Sequence, residues 1–393
     1  MERIGIFGGS FNPPHIGHMQ AARAAICALH LDKLLLMPAC QPPHKTQSAD
    51  MPTAQQRLEM LRIAVAGEQT MEASDLEICR GGISYTYETV QQVRALYPDA
   101  EIFLMMGSDM FLSFHSWKCP EKILDNATLG VFYRGEKGEK NKVDAKKAEL
   151  EAAGYPVRLI KNDVVEISST QIRRLLAFQC ADAFLPEGVG NYIREHDLYH
   201  VHADWQNLPM PQLEQVVISL LKPNRVAHVL GCRDTAVELA HRWGVDETDA
   251  ARAGILHDIT KALDGPLQLT LCAEYGRILS DFSRRYPKTL HALTGSLVAQ
   301  RIFGENAAIV AAIESHTTGK AAMNTLEKII YVADYMEPNR DFPGVDRLRE
   351  LAFSDLDEAL RLGLMMTLEH LKRQGAEVSP ESREALDYLN VKV

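Results

Sequence analysis

The sequence lacks several features that mark particular classes of protein. Its seven cysteines are scattered and form no Cys-x-x-Cys pair, so neither a disulfide framework nor a cysteine-rich zinc site is predicted. No apolar run approaches the roughly 20 residues that a membrane-spanning helix needs. The N-terminus leads directly into a predicted strand and a glycine turn, without the long apolar region of a signal peptide. We therefore expect a cytoplasmic protein without a membrane segment.

An excess of basic residues is also missing. The formal net charge is -10 at pH 7, and no basic stripe is interleaved with aromatic residues, which argues against a nucleic-acid-binding protein. A polyphosphate ligand would therefore have to bind in a local pocket. With 393 residues, of which 46% are hydrophobic, the chain exceeds the roughly 250–300 residues at which single cores stop growing. The length predicts two domains.

The first half of the sequence alternates between strand-like and helix-like runs. The strand-like runs are residues 3–7, 33–37, 101–106, 129–133 and 157–160. The helix-like runs are residues 19–29, 53–66, 86–96 and 143–153, the second with Thr53 as its N-cap. Such alternation predicts a doubly wound, mostly parallel α/β sheet, which binds ligands at the carboxyl ends of its strands. The charged residues 135–142 are typical of a surface loop.

The second half has the pattern of an all-α domain. Its helix-like runs are residues 213–221, 227–243, 249–263, 292–303 and 307–314. Residues 201–212 contain two prolines and no sustained periodicity, which indicates a linker. We therefore expect one domain over residues 1–200 and another over residues 213–393. Because no repeat period links them, the chain is predicted to be a fusion of two different domains.

The first domain opens with a glycine-rich motif, Gly8-Gly9-Ser10-Phe11-Asn12-Pro13-Pro14-His15-Ile16-Gly17-His18. Its glycines end the first predicted strand, and its two histidines lie in the first turn of the next helix. Glycines let the backbone approach an anion closely, and a helix N-terminus offers N–H groups and a positive dipole to a polyphosphate. A metal site is an alternative interpretation of the two histidines, but it would need a further carboxylate or thiolate. A plain surface turn is the other alternative.

This motif resembles the signature of the bacterial nicotinate-nucleotide adenylyltransferase family, within the nucleotidyltransferase superfamily marked by His-x-Gly-His. Four further segments resemble motifs of that family in the same order: Gln41-Pro42-Pro43-His44-Lys45, Ser84-Tyr85-Thr86, Gly107-Ser108-Asp109 with Phe114 and Trp117, and Ile167-Ser168-Ser169-Thr170-Gln171-Ile172-Arg173. The resemblance covers most of residues 1–200 and implies a Rossmann-like nucleotidyltransferase fold. It also implies attack of the 5′-phosphate of nicotinate mononucleotide on the α-phosphorus of ATP, with Mg²⁺ carried by ATP.

The resemblance implies a role for each of these residues. The implied ATP-binding residues are Gly8, Gly9, Ser10, Phe11, His15, His18, Gly107, Asp109, Ile167, Ser168, Ser169 and Arg173. The implied mononucleotide-binding residues are Asn12, His44, Lys45, Tyr85, Thr86 and Trp117, with Trp117 near the pyridine ring. His15, His18 and Arg173 are the implied catalytic residues, which would act by positioning and charge stabilisation.

The residues themselves leave alternatives open. Taken alone, Arg173 would be a solvated helix arginine, Phe114 and Trp117 would be core aromatics, and His44 and Lys45 would be exposed loop residues. Another small-molecule adenylyltransferase is the alternative activity. The residues also do not separate nicotinate from nicotinamide as the substrate ring.

The second half contains a dispersed set of histidines and aspartates. The adjacent pair His257 and Asp258 lies in a predicted apolar helix, where it is costly unless it is paired or metal-bound. Four further candidates lie in other predicted helical segments: His228, His291, His316 and Asp334. A helical bundle could bring all six together, and imidazole and carboxylate ligands suit iron, manganese or zinc. Any one of these histidines alone would more often be an ordinary core or surface residue.

Residues 213–393 resemble the HD-domain metallohydrolase superfamily, and within it the bacterial symmetrical diadenosine-tetraphosphate hydrolase branch. The resemblance is carried by Arg225-Val226-Ala227-His228, Gly254-Ile255-Leu256-His257-Asp258, Leu290-His291-Ala292, Glu314-Ser315-His316-Thr317-Thr318-Gly319 and Ala333-Asp334-Tyr335-Met336-Glu337-Pro338-Asn339-Arg340. It implies two divalent metals, for which we expect iron or manganese. The implied ligands are His228, His257, Asp258 and Asp334 for one ion, and His291, His316 and the bridging Asp258 for the other.

The same resemblance implies cleavage of diadenosine tetraphosphate into two molecules of ADP, with Asp258 as a catalytic residue. Lys261, Asn339 and Arg340 are candidates for phosphate contacts, although an exposed lysine at a helix end would equally explain Lys261. A generic nucleotide phosphohydrolase and a regulatory ligand-binding module are the alternatives. The sequence neither requires nor excludes a homo-oligomer, and it does not indicate whether the two sites are coupled.

Overall fold

A computed structural model of the protein describes residues 1–42, 51–133, 137–161 and 167–391. The chain divides into two compact units, residues 1–202 and residues 203–393. Among the described helices, none is both long and apolar enough to cross a membrane.

The first unit is built on a parallel sheet. Its strands, within the described residues, are β1 (Arg3–Gly9), β2 (Lys33–Pro38), β3 (Met71–Ala73), β4 (Glu101–Gly107), β5 (Thr128–Tyr133) and β6 (Val157–Lys161). Their order across the sheet is β3-β2-β1-β4-β5-β6, and every neighbouring pair is parallel. The predicted doubly wound sheet is confirmed. The strand order reverses between β1 and β4, which is where such sheets open a crevice for ligands.

Both faces of the sheet are buried because its strands are apolar at nearly every position. Successive side chains of a strand point to opposite faces. In β2, Leu35 and Met37 join the hydrophobic core on one face, whereas Leu34 and Leu36 join the core on the other. Helices cover both faces, as the continuous apolar runs require. The three-residue strand β3 was not predicted, because it is too short to show a period of two.

Helices alternate with the strands in the first unit. In chain order they are α1 (Ile16–Leu29), α2 (Ala54–Val65), α3 (Leu76–Arg80), α4 (Thr86–Leu96), α5 (Ser108–Leu112), α6 (Pro120–Leu124), α7 (Lys137–Ala152), α8 (Ser169–Ala177) and α9 (Val189–Glu195). The predicted N-cap of α2 is confirmed, since the Thr53 side chain accepts a hydrogen bond from the Gln56 amide.

The start of α7 corrects one prediction. The helix begins at Lys137, so the loop predicted for residues 135–142 is wrong from residue 137 onward. Residues 134–136 lie outside the described part of the chain. The lysines and glutamate of this stretch have good helix propensity, and the single Gly138 costs a helix only about 1 kcal/mol.

The second unit is all-α over its described residues, as predicted. Its helices are α10 (Met210–Leu220), α11 (Pro223–Trp243), α12 (Glu247–Leu256), α13 (Gly265–Glu274), α14 (Asp281–Arg285), α15 (Leu290–Arg301), α16 (Ala307–Ser315), α17 (Thr325–Met336), α18 (Val345–Ser354), α19 (Leu356–Arg373) and α20 (Pro380–Val391). Helix α11 packs against α12 and α17, and α16 packs against α12, α15 and α17. At Gly254 an added Cβ would lie 2.8 Å from the Cα of Arg233, so this glycine allows the close packing of α12 on α11.

One predicted helix end is wrong in the second unit. Helix α12 ends at Leu256 instead of residue 263, so His257 and Asp258 lie in the turns that follow it. The backbone there closes short i to i+3 hydrogen bonds, such as that from the Lys261 amide to the Asp258 carbonyl at 3.0 Å. The predicted end of α16 at residue 314 lies one residue from the observed end at Ser315, and His316 directly follows this helix. Apolar spacing could not show the end of α12, because the turns that follow it remain buried.

Candidate active sites

The first candidate site lies at the point where the strand order of the sheet reverses. Gly8 and Gly9 end β1, and Gly107 ends the neighbouring strand β4. The segment from Gly8 to His15, here called the phosphate loop, leads from β1 into α1. The ring of Phe11 lies in the hydrophobic core, where the whole residue is fully buried. At Gly9 an added Cβ would lie 3.2 Å from that ring.

Two histidines stand together at the start of α1. His15 is the N-cap residue and is 4% exposed, and its ring centroid lies 3.7 Å from that of His18. The His15 amide donates to Nδ1 of His18 at 3.2 Å. Because this nitrogen accepts a hydrogen bond, the neutral ring of His18 carries its proton on Nε2. Nδ1 of His15 is buried and has no hydrogen-bond partner among the described residues.

Both imidazoles are neutral at pH 7. Burial lowers the pKa of His15 from 6.5 to about 4. Burial, together with the neighbouring His15, lowers the pKa of His18 well below its ordinary value. Over the described residues, the groups of side chains that could hold a metal ion include neither histidine. A metal site here is therefore less favoured than a hydrogen-bonding site for phosphate.

The second phosphate motif is tied directly to the phosphate loop. Ser168 caps α8 by accepting from the Gln171 amide. Arg173 donates to the Asn12 carbonyl at 2.8 Å, and the Ser169 hydroxyl donates to the Pro13 carbonyl at 3.1 Å. The structure thus brings together two segments more than 150 residues apart in the sequence. Arg173 is anchored and partly buried, unlike the solvated helix arginine of the alternative interpretation.

Asn12 has a further partner that the sequence did not reveal. The hydroxyl of Tyr199 donates to Oδ1 of Asn12, and both side chains are buried. Burial also raises the pKa of the Tyr199 phenol, so the hydroxyl remains a donor. The side chain of Asn12, a predicted mononucleotide contact, is therefore fixed in the wall of the site.

Two of the predicted mononucleotide residues, Tyr85 and Thr86, lie at the start of α4. The Ser84 hydroxyl accepts from the Cys40 amide at 2.9 Å, which places the start of α4 beside the segment after β2. Tyr85 and Thr86 follow directly, and Nζ of Lys118 lies 3.8 Å above the Tyr85 ring. His44 and Lys45 lie outside the described residues.

The remaining predicted residues follow β4. Phe114 is 2% exposed and belongs to the core, whereas Trp117 is half-buried and packs against it with ring centroids 5.4 Å apart. Trp117 thus has a ring surface left for a ligand. Asp109 is exposed, and an added Cβ at Gly107 would lie 2.7 Å from its carboxylate.

The second candidate site gathers side chains from several segments of the second unit. Its members are six possible metal ligands, here called the donor set: His228, His257, Asp258, His291, His316 and Asp334. Asp258 is central and 1% exposed. Its Oδ2 lies 3.7 Å from Nε2 of His228 and 3.6 Å from Nε2 of His257. Its Oδ1 lies 3.5 Å from Nε2 of His291 and 3.8 Å from Nε2 of His316.

The ring orientation of three of these histidines is set by local backbone. In His257, His291 and His316, Nδ1 lies 2.7, 2.8 and 2.7 Å from the carbonyl oxygen three residues earlier. A carbonyl only accepts, so each Nδ1 carries the proton and each Nε2 offers its lone pair to the centre. This is the tautomer that a metal ligand needs.

His228 is oriented by a buried carboxylate instead. Its Nδ1 lies 3.1 Å from Oε1 of Glu337, which is 1% exposed. The second carboxylate oxygen of Glu337 accepts from the backbone and side-chain amides of Asn339 at 2.7 and 2.8 Å. An added Cβ at Gly231 would lie 2.5 Å from this oxygen, so the glycine makes room for it. The arrangement matches the carboxylate–histidine pairs that support metal ligands.

Four side chains of the donor set, His257, His291, His316 and Asp334, are unprotonated at neutral pH. Burial lowers the pKa of His257 and His291 well below 6.5, and that of His316 to about 4. Burial alone would raise the pKa of Asp334, but the adjacent His228 and the positive charge of Arg340 outweigh it and hold this pKa well below its ordinary value. Metal ligands must be unprotonated, so the residues fit divalent ions.

Two compact donor groups can be distinguished. One contains His228, His257 and Asp334, and the other contains His257, Asp258 and His316. The family resemblance assigned His291, and not His257, to the ion held by Asp258 and His316. Nε2 of His291 does face Asp258, but it also lies 2.7 Å from Nζ of Lys261.

Cationic side chains line the donor set. Arg340 donates to Asp334 at 2.6 Å, and Arg225 donates to Asp258. Burial lowers the pKa of Lys261 to about 8. Lys261 and Arg340, which were predicted to contact phosphate, therefore lie beside the donor set. The Asn339 side chain instead donates a hydrogen bond to Glu337.

Three residues at this site were missed by sequence reasoning. They are Arg225, Glu337 and Thr317, whose hydroxyl lies 3.0 Å from Nε2 of His291. All three belong to the segments that carry the resemblance, so their position beside a ligand residue was the available signal. Nothing in the one-dimensional pattern showed that their side chains turn toward the centre.

Comparison with known proteins follows the same division of the chain. A cytidylyltransferase-like family model matches residues 6–175, and an HD-domain model matches residues 225–339. The probable nicotinate-nucleotide adenylyltransferase of Borrelia garinii subsp. bavariensis is 36% identical over 198 residues, which are 50% of this chain and 94% of that protein. The chain belongs to the nicotinate-nucleotide adenylyltransferase family.

Other members of the nicotinate-nucleotide adenylyltransferase family match over a similar length. The probable enzyme of Neisseria meningitidis serogroup C is 35% identical over 205 residues, which are 51% of this chain and 99% of that protein. A crystal structure described as a predicted HD superfamily hydrolase involved in NAD metabolism, from Clostridium acetobutylicum, is 36% identical. The matched region covers 47% of this chain and 99% of the Clostridium acetobutylicum chain, with a TM-score of 0.46. The two family models and the relatives together show a nicotinate-nucleotide adenylyltransferase-like domain followed by an HD domain.

Proposed function

We propose that the first unit transfers the adenylyl group of ATP to nicotinate mononucleotide, which yields deamido-NAD and pyrophosphate. The observation that carries this proposal is the neutral pair His15 and His18 at the start of α1, joined through the phosphate loop to Arg173. The names of the family members support nicotinate mononucleotide as the acceptor.

Chemistry at this site needs no protein nucleophile. The 5′-phosphate oxygen of the mononucleotide attacks the α-phosphorus of ATP, and pyrophosphate leaves with the electron pair of the broken bond. Nε2–H of His18 and the N-terminus of α1 would donate to phosphate oxygens, where negative charge builds up. Arg173 would add a fixed positive charge. Mg²⁺ carried by ATP would neutralise further charge.

The mononucleotide would occupy the crevice beside α4 and the segment after β4. Trp117 would stack on the pyridine ring, and Tyr85 and Thr86 would contact the ring substituent. We extend the proposal to His44 and Lys45, whose positive charges would suit an anionic substrate.

The test of this proposal is a product analysis with the full chain. The protein is incubated with Mg²⁺, ATP and either nicotinate or nicotinamide mononucleotide, and the products are separated by ion-exchange chromatography. We expect deamido-NAD and pyrophosphate, with a clear preference for the nicotinate substrate. A preference for nicotinamide would change the substrate, and no dinucleotide with either would contradict the proposal.

For the second unit we propose hydrolysis of diadenosine tetraphosphate into two molecules of ADP at a pair of divalent ions, iron or manganese. The observation that carries this proposal is the convergence of four histidine Nε2 atoms on the two oxygens of one carboxylate, Asp258. The six residues His228, His257, Asp258, His291, His316 and Asp334 would hold the ions. When bound, two divalent ions neutralise an attacked phosphate and acidify water.

The cationic side chains around the donor set would receive the substrate. Lys261 and Arg340 would contact the phosphate chain, together with Arg225. Each is now bonded to a ligand residue and partly exposed, so an incoming polyanion can compete for it. Asn339 would act indirectly, because its amide fixes Glu337.

Incubation with diadenosine tetraphosphate and ferrous or manganous ion tests the second activity. ADP as the sole product supports symmetrical cleavage. AMP together with ATP would show that the bond is cut elsewhere and would contradict the symmetrical reaction. Hydrolysis of other nucleotides only would favour a generic phosphohydrolase, and binding without hydrolysis would favour a regulatory module.

A further inference from the structure

A buried arginine lies directly behind the phosphate loop. Arg57 belongs to α2 and is 2% exposed. Its guanidinium donates to three backbone carbonyls: Ser10 at 2.8 Å, Ala39 at 2.6 Å and Cys40 at 3.3 Å. Ser10 lies in the phosphate loop, and the other two residues directly follow β2. Arg57 therefore joins the ends of two neighbouring strands at the crevice.

The charge of Arg57 has no carboxylate partner within the described residues. None of the ion pairs found there includes it. The carboxylate that acts on its charge is that of Glu77, which instead accepts a hydrogen bond from the Thr89 hydroxyl at 2.6 Å. Burying a guanidinium without a counter-ion is costly, even when carbonyls satisfy its hydrogen bonds. An anion that binds nearby would offset part of this cost.

The hydrogen bond to Ser10 also sets the direction of the next amide. A peptide group is planar, and its C=O and N–H point in opposite directions. Because the Ser10 carbonyl points at Arg57, the N–H of Phe11 points away from it. Arg173 and Ser169 hold the carbonyls of Asn12 and Pro13 in the same loop. The loop conformation is therefore fixed by side chains from outside it.

We infer that Arg57 is a positioning residue of the adenylyl-transfer site, which fixes the phosphate loop and places a positive charge behind the bound triphosphate. The inference rests on the proposed function of the first unit. It means that the phosphate loop reaches its ligand-binding conformation only while Arg57 bridges the ends of β1 and β2. The charge contributes because no carboxylate of the described residues neutralises it.

Two variants and a control test this inference in the full chain. Arg57→Met removes both the charge and the hydrogen bonds, and Arg57→Lys keeps the charge but cannot reach three carbonyls at once. Arg62→Met is the control, because Arg62 lies on the same helix, is largely exposed and pairs with Glu59. The values of kcat and of KM for ATP and for nicotinate mononucleotide are measured for each protein, with circular dichroism as a check of folding.

We expect Arg57→Met to lower kcat/KM for ATP at least a hundredfold and Arg57→Lys about tenfold, with KM for the mononucleotide changed less than threefold. Arg62→Met should match the wild type. A folded Arg57→Met protein with wild-type kcat and KM for ATP would overturn the inference. If Arg57→Met does not fold, wild-type parameters in Arg57→Lys would overturn it equally. Failure of the wild type itself to form the dinucleotide would instead overturn the proposed function.

Discussion

Oε1 of Glu337 lies 3.1 Å from Nδ1 of His228 and thereby turns Nε2 of that histidine toward Asp334. This contact links the end of α17 to α11. Because the carboxylate accepts the Nδ1 proton, it fixes both the tautomer and the rotation of the ring.

We predict that Glu337→Gln lowers the affinity for Mn²⁺ about 10- to 100-fold, because an amide holds the imidazole more weakly than a carboxylate does. The affinity is measured by competition with a chelator, so the result does not depend on activity. Glu350→Gln serves as the control, since Glu350 is exposed. Equal affinities in the two variants would contradict the role of Glu337.

His18→Ala should lower kcat for adenylyl transfer about 100-fold or more, because the variant loses a donor that acts where charge develops. KM for nicotinate mononucleotide should change less than about threefold, since the mononucleotide is bound elsewhere. His30→Asn is a suitable control, because His30 is exposed and asparagine tolerates its left-handed backbone. An unchanged kcat would exclude His18 from the reaction.

Asp258→Ala should abolish hydrolysis and remove bound metal, while adenylyl transfer stays within about twofold of the wild type. The reason is that both oxygens of Asp258 face histidine Nε2 atoms of the donor set. Metal content is measured by elemental analysis, and both activities are assayed on the same sample. Asp234→Ala, at an exposed position of α11, is the control. Retained hydrolysis would refute the metal assignment.

The same variant tests a reason for the fusion of the two domains. An adenylyl-transfer site can pass the adenylyl group of ATP to a polyphosphate acceptor and form dinucleoside polyphosphates, which the second unit would remove. Asp258→Ala incubated with Mg²⁺ and ATP should therefore accumulate them, whereas the wild type should not. Their absence from the variant would remove this rationale.

The stability of the first unit should fall between pH 7 and pH 5. The pKa of His15 is about 4 in the folded protein and about 6.5 when unfolded, so the unfolded chain binds the extra proton first as the pH falls. Stability is fully present above pH 6.5 and is lost below it, by about 2 kcal/mol at pH 5. His15→Asn should reduce this slope.

Urea unfolding at several pH values checks this prediction, with hydrogen exchange in α1 identifying the transition of the first unit. Histidines elsewhere also titrate, so the decisive quantity is the difference between wild type and His15→Asn. A slope that is identical in the two proteins would show that His15 is not held neutral by burial.

Apolar periodicity predicted most of the fold because both faces of the sheet are buried. Five of the six described strands and α4 were recognisable as runs of the right length. The end of α12 was not, since the turns that follow it and carry His257 and Asp258 remain as buried as helix.

The two candidate sites were likewise predicted in part. Residue types and motif resemblance indicated the histidines and aspartates, which the structure brings together. Arg57, Tyr199 and Glu337 escaped notice because their roles depend on contacts across 47, 187 and 109 residues. Local spacing carries no information about such contacts. Phe11 shows the converse, since a residue inside a ligand motif can serve the core instead.

The four histidines of the donor set differ in whether a local or a distant residue orients the ring. In His257, His291 and His316 the ring is held by the carbonyl three residues earlier, so a turn of four residues fixes its orientation. Those three turns would keep the geometry of their ligands through wide change in the surrounding sequence. Only the ring of His228 is oriented by a residue far away in the sequence, Glu337 at the end of α17. Accumulated mutations should therefore impair the group of His228, His257 and Asp334 first, through loss of Glu337.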